Sequence, residues 1–165
     1  GYNRFVSSQP QYSALWRVIE TEVVPLSKKE GIGQIVWSPM AQGVLTGKYL
    51  PGQPVPAGSR ASNEKVNSFI QKLLTDDVLT RVQQLKPLAD ELGLTMAQFA
   101  LAWVLQNKNV SSAIVGATTP EQITSNLGAV GVEIPTEIMN KVTELLAPIA
   151  VTDPSETKAP ETRVV

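Results

Sequence analysis

The sequence contains neither cysteine nor histidine. Without cysteine there can be no disulfide, no thiolate metal site and no cysteine nucleophile. Without histidine, imidazole zinc ligands and every Ser–His or His–Glu acid/base pair are excluded. Chemistry performed by this chain alone therefore falls to Asp, Glu, Lys, Tyr, Ser or Thr. An excess of one charge is missing too. Fourteen basic and 15 acidic residues leave a formal net charge of -1, which gives no bulk reason to approach nucleic acid or anionic lipid. Long apolar runs are also lacking, since stretches such as residues 99–105 are far too short to cross a bilayer. No secretory signal is visible and the chain begins at Gly1 rather than Met, as expected of a processed, cut or incompletely recorded chain. The lack of cysteine suits a cytoplasmic protein, and the cytoplasm is the expected location.

What is present is ordinary globular material: 165 residues, 42% hydrophobic and 18% charged, enough for one domain with a sizeable core. Residues 4–9 read as a short strand stopped by Pro10. An apolar-periodic helix through Leu15, Val18, Ile19 and Val23 follows, punctuated by Gly31 and Gly33. Residues 34–38 form a β-rich run between Gly33 and Pro39, as in a buried parallel strand. Residues 39–75 are loop-like and rich in Gly and Pro, and a connection of that length is usually functional or mobile. From Asp77 a helical face of Val78, Val82, Leu85, Ala89 and Leu92 appears, with a kink expected at Pro87 and a C-cap at Gly93. Thr95 and Gln98 have capping-box spacing ahead of Ala100, Leu101, Val104 and Leu105. A strand over residues 112–115 closes at Gly116, and Thr119-Pro120-Glu121-Gln122 reads as a second capped helix start. Ile138, Val142, Leu145 and Leu146 mark a last amphipathic helix.

Strands alternating with helices imply parallel strands joined by right-handed crossovers. Three strands cannot close a barrel, and a small open sheet would leave bare edges. The pattern is therefore that of part of a larger α/β domain. Residues 1–150 form the domain portion, and residues 151–165 a polar tail with Pro154 and Pro160.

Three local constellations could hold a ligand, and each has a plainer structural explanation. Trp37-Ser38-Pro39-Met40-Ala41-Gln42-Gly43 leaves a strand end, where parallel sheets bind ligands: the aromatic can face a planar ring, and the hydroxyl and N–H groups can hold phosphate. A core Trp before a Ser-Pro turn has the same appearance. Gly116-Ala117-Thr118-Thr119-Pro120 runs into a helix N-terminus, a ready anion site, yet every parallel α/β protein has such turns. A cofactor contact from Gln122 would also compete with its capping role. Lys48 and Arg60 on the long loop could clamp a phosphate, or be solvated surface charge. Asp76-Asp77 suits the start of a helix better than a metal site, and Lys28-Lys29-Glu30 reads as a solvated face.

Taken in order, the segments Gln9-Pro10-Gln11-Tyr12-Ser13, Trp37 through Tyr49, Gly58-Ser59-Arg60-Ala61, Leu101-Ala102-Trp103-Val104-Leu105 and Ile114-Val115-Gly116-Ala117-Thr118 resemble aldo-keto reductases. The subgroup is that of voltage-gated potassium channel β subunits and many bacterial reductases, and the likeness extends over about residues 1–147. The resemblance implies a TIM (β/α)8 barrel, of which this chain covers strands six to eight with their helices. It further implies NADP(H) as cofactor and an aldehyde or ketone as the small carbonyl substrate. Gln9 would hold the nicotinamide carboxamide and Trp37 would stack on its ring. Ser38, Pro39, Met40, Ala41 and Gln42 would line the pyrophosphate, with Lys48 in the loop folding over it. Arg60, Thr118, Gln122 and Asn126 would surround the adenosine 2′-phosphate, with Gly116 allowing close backbone approach. Ser125 stands where many relatives carry Glu near the adenine.

The family's proton-donating Tyr and its Lys, Asp and His companions lie on the first half of the barrel, so no catalytic residue is expected here. Tyr2, Tyr12 and Tyr49 occupy other positions of the pattern. Three readings follow: the C-terminal part of an NADPH-dependent carbonyl reductase, a non-catalytic NADP-binding regulatory subunit resembling channel β subunits, or a fragment stabilised by association. The expected partners are the missing N-terminal barrel part and, for the open sheet edge, a second copy, with no nucleic acid and no membrane. The isolated chain is expected to be inactive, with weakened NADP affinity.

Overall fold

A computed structural model describes residues 2–64 and 68–156; residues 157–165 of the expected tail, Pro160 among them, lie outside the described residues. Three parallel strands, β1 (Ser7–Ser8), β2 (Gly33–Trp37) and β3 (Val110–Ile114), form one sheet in the order β1-β2-β3. Six helices accompany them in the described residues: α1 (Val23–Glu30), α2 (Asp76–Gln83), α3 (Lys86–Glu91), α4 (Met96–Leu105), α5 (Pro120–Asn126) and α6 (Thr136–Leu146). The alternation expected from the sequence is observed as an α/β arrangement with a parallel sheet.

Several boundaries differ from expectation, each for a pairing reason. The strand expected over residues 4–9 shrinks to Ser7–Ser8, because only Gly33 and Gln34 of β2 pair with it. The helix expected through Leu15 and Val18 begins late. Arg17 N–H donates to the Val151 carbonyl at 2.8 Å and Val151 N–H to Leu15 at 3.0 Å, so the chain is drawn out against residue 151. A 3₁₀ turn at Val18–Glu20 and then α1 follow, with Gly31 ending α1 at φ +68° as expected. The third strand starts at Val110 rather than Ser112 and stops at Ile114, the partner of Trp37. Its ladder slips between Gln34 and Ile35, which leaves Ser111 as an extra residue. A Cβ on Gly33 would lie 2.3 Å from Ser111 Oγ, so this close approach of strands uses a glycine. The expected kink at Pro87 becomes a break between α2 and α3, with Pro87 in the first turn of α3.

The core lies between the sheet and α4. Seven of the ten α4 residues are buried, as befits a helix that is apolar all round. Its start carries the expected capping box: Thr95 Oγ1 accepts from Gln98 N–H at 3.2 Å, and Gln98 Oε1 from Thr95 N–H at 2.9 Å. The described residues of the long segment after β2 are folded, contributing Val44, Leu45, Tyr49, Ala61 and Ile70 to the core. Gln83 fastens it by donating to the carbonyls of Gly47 and Tyr49 at 2.9 and 3.1 Å. On the far side the molecule is bare. The paired residues Trp37 and Ile114 are 36% and 43% exposed, and no α5 side chain is buried. Among the described residues no single helix is long and apolar enough to cross a membrane.

Candidate functional site

The C-terminal ends of β2 and β3 open into a cavity of about 890 Å³. Its first wall is the turn that leaves β2. Ser38, Ala41 and Gln42 all have left-handed backbone conformations, with φ of 59°, 48° and 59°. Such positions cost roughly 1–3 kcal/mol each and cluster where a loop must hold one shape. Ser38 Oγ offsets part of this by accepting from Gln42 N–H at 3.2 Å and from Gln42 Nε2 at 2.8 Å. Thr46 Oγ1 donates to the Gly43 carbonyl at 2.7 Å and closes the turn. The strain is invisible in the sequence, because none of the three residues is glycine.

The second wall is the long segment. Lys48 lies back over the turn, its Nζ 3.5 Å from where a Cβ on Gly43 would stand and 5.3 Å from the Tyr49 ring. Tyr49 is buried and its hydroxyl accepts from Ala61 N–H at 3.4 Å, which brings the neighbouring Arg60 to the cavity. Neither Lys48 nor Arg60 pairs with a carboxylate among the described residues. Ser59 Oγ is buried in the same wall without a hydrogen-bond partner among the described residues.

The third wall comes from residues 114–118 and α5. Here the capping box expected at Thr119 does not form. Gln122 Oε1 accepts instead from Thr118 N–H at 2.9 Å and from the Thr118 hydroxyl at 3.3 Å. Thr119 hydrogen-bonds to Glu121, which holds that exposed carboxyl below the usual range. The polar groups of Thr118, Gln122 and Asn126 thus stand together at the cavity rim.

Of the residues expected from the sequence, Ser38, Pro39, Met40, Gln42, Lys48, Arg60, Gly116, Thr118, Gln122 and Asn126 line this cavity. Gln9, Trp37 and Ala41 do not. Gln9 is exposed, Trp37 sits on the bare face of the sheet, and Ala41 is buried. Thr46, Ser59 and Ser62 line the cavity without having been singled out; Ser59 falls inside the Gly58-Ser59-Arg60-Ala61 segment, its one sequence signal. Asp76 and Asp77 serve structure: Asp76 accepts from Gly52 N–H at 2.9 Å, and Asp77 pairs with Arg81 at 3.0 Å. No cluster of metal-ligating side chains occurs among the described residues.

None of the three tyrosines lines the cavity. Tyr2 is fully exposed and Tyr49 is in the core. Tyr12 is buried in a separate cavity of about 340 Å³ and donates to Glu20 at 2.8 Å, with Arg17 on the same carboxylate and over the Trp103 ring. Burial first, and then the Glu20 charge, push the Tyr12 phenol well above its ordinary value.

The site's donor set suits a nucleotide phosphate. It offers Lys48 and Arg60, which pair with no carboxylate among the described residues, a Ser59 hydroxyl with no hydrogen-bond partner among them, and hydroxyl and amide groups facing them across the cavity.

Comparison with known proteins points the same way. The sequence profile described as the Aldo/keto reductase family matches residues 1–147. A probable voltage-gated potassium channel subunit beta from Arabidopsis thaliana is 49% identical over 128 residues, covering 77% of this chain and 39% of that protein. An L-glyceraldehyde 3-phosphate reductase from Escherichia coli O157:H7 is 37% identical over 122 residues, covering 73% of this chain and 35% of that protein. The structure of a glycerol dehydrogenase from Gluconobacter oxydans, a TIM barrel, superposes with a TM-score of 0.72 at 24% identity, over 96% of this chain and 46% of that one. The chain spans less than half the length of each of these proteins.

Proposed function

The chain belongs to the aldo/keto reductase family, and from that premise we propose that it supplies the NADP-binding, C-terminal part of a barrel enzyme that reduces aldehydes or ketones. Its three strands are then the sixth to eighth of a (β/α)8 barrel. The observation that carries this reading is the cavity at the strand ends, in which Lys48 and Arg60, without a carboxylate partner among the described residues, face Thr118, Gln122 and Asn126. Ligands of parallel barrels are held at that end.

Within this reading the strained Ser38–Gln42 turn fixes backbone groups against the pyrophosphate, so no reorganisation is needed on binding. Lys48 closes over it as a point charge. Arg60 takes the adenosine 2′-phosphate, two oxygens at a time, with Thr118, Gln122 and Asn126 as neutral donors and Gly116 leaving room for the ligand. Gln9 and Trp37, though outside the cavity wall, sit on the exposed sheet end where the nicotinamide carboxamide and ring would lie. When bound, the cofactor supplies a hydride to the carbonyl carbon. The carbonyl oxygen must receive a proton, and no tyrosine of this chain stands at the cavity to give it. That proton comes from the N-terminal part of the barrel, which makes the alcohol product a joint achievement of the two parts.

A second reading draws on the 49% identity to a probable channel β subunit: the same nucleotide site could serve a regulatory subunit, turnover being incidental. Fluorescence titration of the chain joined to its N-terminal barrel part, followed by turnover with a simple aldehyde, separates the readings. Binding with turnover is expected. Binding without turnover favours the regulatory subunit, and no binding of NADP(H) overturns both.

A further inference from the structure

We propose that Gln98 is a positioning residue that fixes α5 against the cavity, and thereby sets how strongly the site prefers a phosphorylated adenosine over an unphosphorylated one. The inference rests on the cofactor reading above, and its subject is a side chain outside the cavity wall.

A helix is ordinarily held by an apolar face. That cannot explain α5, which buries no side chain and turns Ile123 (53% exposed) outward. Within α5 itself the hold on the core is polar, and an apolar anchor comes only after the helix, at buried Ala129. Gln98 Nε2 donates to the Ser125 carbonyl at 2.7 Å, one residue before Asn126. The other end of the same amide is engaged elsewhere, since Gln98 Oε1 accepts from Thr95 N–H at 2.9 Å in the capping box of α4. Gln98 therefore bridges a rigid, largely buried helix to an exposed one that carries Gln122 and Asn126.

Gly128 supports the same arrangement from the other side. A Cβ there would stand 2.5 Å from Gln98 Nε2 and 3.2 Å from its Cδ. Any side chain at 128 would thus push the amide away from Ser125. The glycine is needed for passage of the Gln98 side chain, since no left-handed backbone is recorded at this position.

Two substitutions separate positioning from general stability in the chain joined to its N-terminal barrel part. Gln98→Glu keeps an oxygen for Thr95 N–H, because Glu serves a capping box as well as Gln, but turns the donor facing Ser125 into an acceptor. Gly128→Ala displaces the amide by bulk. Each is expected to weaken NADPH binding by about five- to tenfold, the effect of one lost hydrogen bond. NADH binding and kcat at saturating NADPH should change little. Amide hydrogen exchange across residues 120–129 should speed up in both variants while α4 stays protected.

Equal loss of NADPH and NADH affinity overturns the specificity claim, and unchanged exchange in α5 overturns the positioning claim. A parent protein that binds neither nucleotide overturns the cofactor reading instead; the exchange measurement then decides by itself whether Gln98 fixes α5.

Discussion

Tyr12 shows how burial and one neighbour set a side chain's chemistry. Its phenol is held protonated by desolvation and by the Glu20 carboxylate, so its folded value lies above the unfolded value of 10.0. Folding therefore favours the protonated form. That contribution is fully present below about pH 10 and shrinks as pH rises beyond it, because only the unfolded chain then releases the proton. The urea midpoint should fall between pH 9 and pH 11 more steeply in the wild-type chain than in Tyr12→Phe; parallel curves would count against it. Arg60 is likewise governed by its immediate surroundings. It is exposed and lacks a carboxylate partner among the described residues, so removing it disturbs no internal pair. In the joined protein Arg60→Ala should raise the Kd for NADPH roughly tenfold or more, the worth of a charge-assisted hydrogen bond, and leave NADH binding nearly unchanged. A titration in which both nucleotides weaken equally would remove Arg60 from the 2′-phosphate.

The helix starts make a natural pair of tests. Thr95 and Thr119 look alike in sequence, each followed three residues later by Gln. Only Thr95 caps: its hydroxyl accepts from Gln98 N–H, whereas Thr119 turns to Glu121 and Gln122 reaches back to Thr118. Thr95→Ala should cost about 1 kcal/mol of stability. Thr119→Ala should stay within about 0.5 kcal/mol, as for a surface change that breaks no cap. Urea denaturation of the two variants decides it, and equal losses would contradict the geometry at α5. Between these helices, the segment after β2 owes its fold to buried residues spread along it, Tyr49 and Ile70 among them. It is a wall of the site for that reason.

At the scale of the whole molecule, the described residues form a three-stranded sheet whose core face is covered by helices, while Trp37 and Ile114 on the sheet and several apolar groups of α5 and the turn after it are exposed. Ile123, Leu127 and Val130 recur at i, i+4 and i+7 and are 53%, 63% and 68% exposed, and Ile114 and Val115 are exposed as well. A surface of this kind is usually covered, and unpaired strand edges recruit further strands. The isolated chain should therefore associate as its concentration rises in sedimentation velocity, and Leu127→Lys should weaken that association. Addition of the N-terminal barrel part should abolish it. A monomer across the whole series would contradict this picture.

The sequence by itself determined what short-range chemistry controls. The β/α alternation, a disruption of the helix at Pro87 (read as a kink, found as a break), the ends at Gly31 and Gly93, and the Thr95–Gln98 box all depend on neighbours a few residues away. Most of the residues that line the cavity were legible differently, only through the resemblance of the ordered segments to aldo-keto reductases. The tertiary structure decided what depends on distant partners. Whether Gln122 caps its own helix or reaches Thr118, and whether Gln98 serves one helix or two, turns on where α4 and α5 meet. The left-handed turn at Ser38–Gln42 and the fold of Lys48 over Gly43 are likewise set by packing around them. No pattern of residue types carries that information, because the competing bonds differ by a hydrogen bond or less.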